Sequence, residues 1–420
     1  MTLSAAISPS RAATTPARLP GFALFAGLLA MAGLPIYIHA PKFYVDAYGV
    51  GLGALGGVLF ALRLIDFVQD PALGLLASAT RTRRGLAVAL ATGLMAAGML
   101  GLFAVAPPVA PLVWFALTLV VLFSAFSFLT ISFYAQGVVT AERLGPGGHI
   151  RLAAWRETGA LIGVCIAAAA PTGLALVSAA PFALFAAGFA AMAFAAALAM
   201  RAEWGGGAAL APVRISAVLG DATARRLLLI AFVNAAPVAV TSTLFLFFVE
   251  VRLESPGWEG PLLLLFFLAA AVSAPGWARL ADGIGARRAL LAGMTLAIVT
   301  FAFALTLGPG DLAAFALICI ASGAALGADM TLLAAIFARR MARVAPDAGQ
   351  AFGLWAFVSK ATLAVAAVTV LPLLDAAGLA PGTPAPEAAL WMLTILYAGL
   401  PCVLKLVALA LLARSDIEES

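Results

Sequence analysis

The stretch Arg63-Leu-Ile-Asp66-Phe-Val-Gln-Asp70-Pro71 sets two carboxylates, a guanidinium and an amide inside an apolar run, residues 50–78. That run is long enough to cross a bilayer as a helix, which takes about 20 residues. In one helix, positions 63, 66 and 70 are spaced by three and four and so share a face. Ionisable groups at membrane depth are costly; they face a bundle interior, where they pair with one another or bind an ion. The stretch reads as a cation or proton site at Asp66 and Asp70. Its bland alternative is an Arg63–aspartate bridge that only ties two helices together. Two acids against one base favour the site.

Working outward, the chain has 420 residues, 64% hydrophobic and 10% charged, with mean hydropathy +1.10. A soluble domain carries about 25% charged residues, so the composition reads as an all-α, polytopic membrane protein. The net charge of +5 is spread over short basic clusters between apolar runs and forms no nucleic-acid patch. Cys165, Cys319 and Cys402 lie singly within apolar runs and read as small buried hydrophobes. With His39 and His149 the only histidines, no zinc-type ligand set is present. No nucleophile–base pair or phosphate loop is visible, so neither an enzyme nor a cofactor is expected beyond a coupling Na⁺ or H⁺.

Apolar runs of spanning length fall near 20–44, 50–78, 86–106, 110–142, 149–172 and 174–201, then 225–250, 259–281, 288–307, 311–338, 349–376 and 387–413. This gives twelve spans in two six-helix bundles, 20–201 and 225–413, with a polar linker at 202–224 and tails at 1–19 and 414–420. Arg81, Arg83, Arg84, Arg143, Arg201, Arg287, Arg288, Arg339, Arg340 and Arg414 all fall on one side, that of the tails and linker. The other side shows only Lys42 and Arg252, among acids. The positive-inside rule then places both termini in the cytoplasm, as expected in a bacterial inner membrane. A repeat supports the division. Pro71 precedes Arg83 and Arg84 by the same intervals as Pro275 precedes Arg287 and Arg288, an offset of 204 residues that sets Ser78 against Asp282. Such repeats are common in secondary transporters, whose sites lie near the midplane between the halves.

The arginine-rich loop after the second span of each half resembles the signature of the major facilitator superfamily, Gly-x-x-x-Asp-x-x-Gly-x-Arg-Arg. The second-half copy, Asp282-Gly-Ile-Gly-Ala-Arg287-Arg288, keeps the acid, while the first has Ser78 before Arg83 and Arg84. These arginines and Asp282 are expected to gate the cytoplasmic side by meeting acids or helix C-termini. The opening stretch, continued to Gly74, resembles the second-helix motif of the glycoside–pentoside–hexuronide:cation symporters, the melibiose permease group: Arg-x-x-Asp-Ala-x-x-Asp-Pro-x-x-Gly. Tyr44-Val-Asp46 with Gly49 resembles the group's short acidic motif. Ser359-Lys360 resembles the eleventh-span helix that carries its lysine. The resemblance implies cation binding at Asp66 and Asp70, with Arg63 and Lys360 beside them.

The chain also departs from that group. The first-span Lys-Asp pair of sugar-binding members would fall near Leu29 and Ala30, and their fourth-span aspartate near Thr130. Tyr134 stands near their stacking tryptophan and Arg156 near their fifth-span arginine. Sugar hydroxyls need directional acceptors, because unpaired buried hydroxyls lose affinity steeply. A sugar substrate is therefore not expected. Of Arg156 and Glu157, Arg156 is expected to face the cavity and to take an anionic group. Trp355 belongs to the same eleventh-span helix as Lys360. Asp329 is either a cavity or protonation residue or a packing partner of Thr331, and Gln136 and Asn234 either line the cavity or bond neighbouring helices. Two prolines, Pro35 and Pro41, predict a broken first span beside Tyr37 and His39.

The sequence thus reads as a monomeric secondary transporter, embedded among membrane lipids, that couples a small organic solute to Na⁺ or H⁺ by alternating access. The alternatives are a proton-coupled exporter or amphiphile transporter of the same fold, and a non-transporting scaffold or sensor. Retention of Arg63, Asp66, Asp70 and Lys360 together argues against the last.

Overall fold

The computed structural model describes residues 18–204, 215–345, 349–378 and 386–415. The expected tails and most of the linker lie outside them, as do the side chains of Tyr37, Lys42, Arg63 and Asp66. Among the described residues every regular element is helical. The first half holds α1 (Leu19–Met31), α2 (Leu34–Tyr48), α3 (Leu52–Ala79), α4 (Arg84–Phe103), α5 (Pro111–Arg143), α6 (Gly148–Leu174) and α7 (Pro181–Met200). After the short α8 (Ile215–Gly220) come α9 (Ala222–Phe247), α10 (Glu259–Ile284), α11 (Ala286–Ala302), α12 (Leu312–Ala328), α13 (Ala334–Val344) and α14 (Gly349–Ala376). The chain ends with α15 (Glu387–Thr394) and α16 (Leu400–Ala413).

Each of the twelve apolar runs is helical. Nine stretches among the described residues are long and apolar enough to cross a membrane. The first run breaks at Gly33, where Pro35 occupies the first turn of α2, the position at which a proline costs no hydrogen bond. The π-helical turns Asp329–Leu333 and Ile395–Gly399 join α12 to α13 and α15 to α16, so each pair acts as one long span.

The repeat seen in sequence recurs in packing. In the first half α1 packs on α6 and α7, α3 on α5, and α4 on α5 and α7. In the second half α9 packs on α14 and α16, α10 on α12, and α11 on α12 and α16. Pro71 and Pro275 both lie inside their helices, α3 and α10. Glycines let these pairs close up. A Cβ on Gly159 would stand 2.1 Å from the Ala23 carbonyl oxygen, and one on Gly323 would stand 2.2 Å from that of Phe266. Such small-residue contacts stand in for the hydrophobic drive that lipid removes.

The halves meet through α3 with α14 and α6 with α10. Gly353 of α14 lies against Asp70 and Gly74 of α3. Gly147, just before α6, lies beside Asp282 at the end of α10. These contacts sit toward the arginine-rich end of the bundle.

Candidate functional site

Asp70 is fully buried on α3. Lys360 of α14 reaches across from the other half, its Nζ lying 3.0 Å from each carboxylate oxygen. The same ammonium donates to Ser127 Oγ of α5 at 2.8 Å. One residue before Asp70, the Gln69 amide oxygen accepts from Ser124 of α5 at 3.1 Å. A lysine at this depth needs such partners, because an unpaired one costs at least about 2.5–3.5 kcal/mol. The resemblance implied this neighbourhood, but Ser127 and Ser124 were not foreseen.

A cavity of about 380 Å³ opens between the halves, lined by Tyr134 and Glu157 on one side and by Asn234, Asp329 and Trp355 on the other. Asp329 opens the π-turn after α12, a distortion that often marks functional sites. Its Oδ2 meets Lys405 Nζ of α16 in a very short contact, and Lys405 also donates to Asn234 Oδ1 at 2.7 Å. All three side chains are buried. Lys405 was missed in the sequence, although a lone lysine in the run 387–413 carries the same signal as Lys360. Lys405 lines a neighbouring small cavity of about 60 Å³, whose wall it shares with Asp329.

Of Arg156 and Glu157, it is Glu157 that lines the cavity, where Arg156 was expected. Both are buried, with Arg156 behind Glu157. Arg156 Nε donates to Glu157 Oε1 at 2.8 Å, and its guanidinium carbon sits 3.8 Å over the Tyr134 ring. Tyr134 donates its hydroxyl to the same oxygen at 3.3 Å. Gln136 takes the second of its two expected places, bonding neighbouring elements. Its amide oxygen accepts from Arg84 at 3.0 Å and its amide nitrogen donates to the Glu203 carbonyl at 2.6 Å, so it braces the arginine-rich end. Thr130, on α5, is likewise not among the residues lining this cavity. His39 stands 6.1 Å from the Phe182 ring, edge to face.

The arginine-rich loops differ between halves. Arg81–Arg83 forms a 3₁₀ turn, whereas the second copy turns at Gly285 with φ +89°, a conformation that favours glycine. Arg83 and Arg288 are exposed. Arg287 donates to the carbonyl of Ala413, the last residue of α16, at 2.6 Å, a favourable place for a cation at a helix C-terminus. Arg143 pairs with Glu203 at 2.6 Å. Arg340 grips Asp221 with two hydrogen bonds, 2.5 and 3.1 Å, and holds its carboxyl below the usual carboxylate range.

The helices pack in a repeated order around a cavity with buried ion pairs beside it. The family model described as MFS/sugar transport protein matches residues 20–419. The chain belongs to this family. It is a multi-pass membrane transporter and not an enzyme. A curated relative, the putative glycoside/cation symporter YagG of Escherichia coli K12, is 29% identical over 120 residues, which span 27% of this chain and 25% of the relative. Among solved structures, a bacterial homologue of the iron transporter ferroportin in its outward-facing state aligns with TM-score 0.70 at 13% identity, over 95% of this chain and 99% of that one. The E. coli fucose:proton symporter FucP aligns with TM-score 0.65 at 15% identity, over 93% and 98%. At such identities these structures support the fold alone.

Proposed function

We propose that this transporter is a symporter that couples a small organic solute to Na⁺ or H⁺, and that it acts as a monomer in a bacterial inner membrane with both termini cytoplasmic. The observation that carries the proposal is the fully buried Asp70, held across the halves by Lys360. A carboxylate there must be neutralised. Lys360 does so in this arrangement, and an incoming cation or proton does so when the lysine withdraws. By its spacing in the sequence, four residues before Asp70, Asp66 is the second acid of the coupling site, with Arg63 as the companion base. Because the Lys360 bridge spans the two halves, loading the acid with a cation releases a tie between them. That is how binding energy at one site shifts a two-state equilibrium. The arginine-rich end, where α3 meets α14 and Gly147 meets Asp282, is the closed gate, so the cavity faces outward. Arg83, Arg84, Asp282, Arg287 and Arg288 belong to that gate.

Uptake into proteoliposomes with and without a Na⁺ or pH gradient tests the reading. Solute accumulation should follow one of the two gradients, and Asp70→Asn should remove that dependence while the protein remains folded. Gradient-independent uptake by the unaltered chain would sink the coupling assignment.

A further inference from the structure

The 380 Å³ cavity is walled largely by Ala, Val, Leu and Met side chains and by the rings of Phe267 and Trp355. Its polar groups are few and mostly committed. The Tyr134 hydroxyl is spent on Glu157, the Asn234 carbonyl oxygen on Lys405, and the Ser359 hydroxyl on the Trp355 carbonyl at 3.0 Å. What remains open is carboxylate. Asp329 is 92% buried, the complement of its 8% exposure, and lines the cavity. Its Oδ1 has no hydrogen-bond partner among the described residues. A buried acceptor left unmet costs about 1–3 kcal/mol, so this oxygen is a vacant seat for a donor.

The bases stand behind the acids. Lys405 approaches Asp329 from the side of the smaller cavity, and Arg156 approaches Glu157 from behind Tyr134. The cavity therefore sees carboxylates on both walls and no ammonium or guanidinium among its described lining residues. A polyol needs many directional partners and would find few here. An anion would face two acids. A cationic head on an apolar body meets an open carboxylate oxygen, aromatic faces that favour cations and an apolar wall.

We infer that the cavity takes a protonated amphipathic amine, seated on Asp329 in competition with the ammonium of Lys405. This rests on the transporter reading above and names its solute class. Binding of the amine to Asp329 weakens the Lys405 bridge, and the lysine then leans on Asn234.

The test is binding to the purified full chain in detergent, using 2-phenylethylamine at neutral pH as the probe. The neutral 2-phenylethanol and the anionic 3-phenylpropionate serve as shape-matched controls. The amine should bind and raise the melting temperature, and neither control should match it. Asp329→Asn should weaken amine binding at least tenfold. Because that variant strands Lys405, the double variant Asp329→Asn with Lys405→Met, which buries no unpaired charge, should fold normally and also lose the amine. Lys405→Met alone should tighten it, since the internal competitor is gone. Equal binding of the three probes, or an unchanged affinity in the double variant, overturns the proposal. The coupling reading fails separately: it falls if uptake by the unaltered chain ignores both gradients, an outcome that amine binding in detergent does not report.

Discussion

The two buried lysine–aspartate pairs have the same chemistry and different attachments. Lys360–Asp70 joins α14 to α3 and so ties one half to the other. Lys405–Asp329 joins α16 to the π-turn after α12, and with Asn234 of α9 it stays inside the second half. Any movement that parts the halves must break the first pair and can spare the second. A bridge across a moving boundary is suited to coupling, because its breaking is part of the cycle. A bridge within one body fixes the shape of that body and orients the carboxylate it holds toward the cavity. The Lys360 side chain is also more exposed than that of Lys405, 18% against 5%. Asp70 itself is fully buried, 0% against 8% for Asp329, so an exchanging ion reaches it only as the lysine withdraws.

The largest expected effect comes from stranding an acid in the inner pair. Lys405→Met leaves Asp329 without its ammonium and should cost about 3–5 kcal/mol, as removing one partner of a buried pair generally does. Adding Asp329→Leu should recover most of it, since an apolar pair of similar volume is often neutral. Thermal melts in detergent check both. Failure of the double variant to recover would mean that the pair does more than hold shape.

The boundary pair should behave otherwise. Asp70→Asn should abolish cation-stimulated uptake, a loss on the scale of coupling free energies, about 1–3 kcal/mol or about 5–150-fold. A second variant that restores stability here should not restore coupling. If Asp70→Leu with Lys360→Met transports with its cation dependence intact, the distinction between the two pairs collapses.

Glycine contacts give a third comparison, of smaller size. Gly323→Ala pushes a Cβ to 2.2 Å from the Phe266 carbonyl within the second half. It should lower stability by about 1–3 kcal/mol, the usual cost of overpacking. Gly353→Ala brings a Cβ only to 3.3 Å from the Asp70 carbonyl and 3.4 Å from Gly74 Cα, across the boundary. The halves can part to relieve it, so its effect should appear as greater labelling of an engineered cysteine at the arginine-rich end, with little change in melting. Equal melting shifts for the two variants would argue against a movable boundary.

The helical framework was readable because lipid permits little else: twelve long apolar runs must satisfy their backbone internally. That Glu157 rather than Arg156 lines the cavity was not readable. Adjacent helical residues point about 100° apart, and α6 lacks an apolar stripe that would say which one faces in. Which of its two expected places Gln136 takes follows from helix length. At 33 residues, α5 runs about 50 Å at 1.5 Å per residue, well beyond a hydrocarbon core of about 30 Å. Position 136 therefore rides near its arginine-rich end. Lys405 was legible in principle, as a lone base in an apolar run, but its partners come from α9 and the π-turn, which only packing brings together. The motif around Asp70 was the most informative because its spacing on one face survives any rotation of the helix.

An ion pair nearer the surface calibrates the other two. Asp221 caps α9, its Oδ1 accepting the Ala224 amide at 2.7 Å, and its carboxylate is gripped by Arg340 of α13. Arg340 is the main cause of its lowered pKa, followed among the lowering influences by the Ala224 amide. A carboxyl with a folded pKa below its ordinary value of 3.8 contributes stability that is fully present above that value and lost as pH falls through the folded one. Asp221→Ala should therefore cost about 0.5–2 kcal/mol at neutral pH, chiefly as a lost helix cap, with the partly exposed pair adding at most about 1 kcal/mol. The gap in melting temperature between the unaltered chain and Asp221→Ala should be flat from pH 8 to about 5 and shrink below about 4. Melts across that range check it. A gap that persists undiminished at low pH would show that the carboxylate's charge contributes nothing, and the buried pairs would then lose their exposed reference.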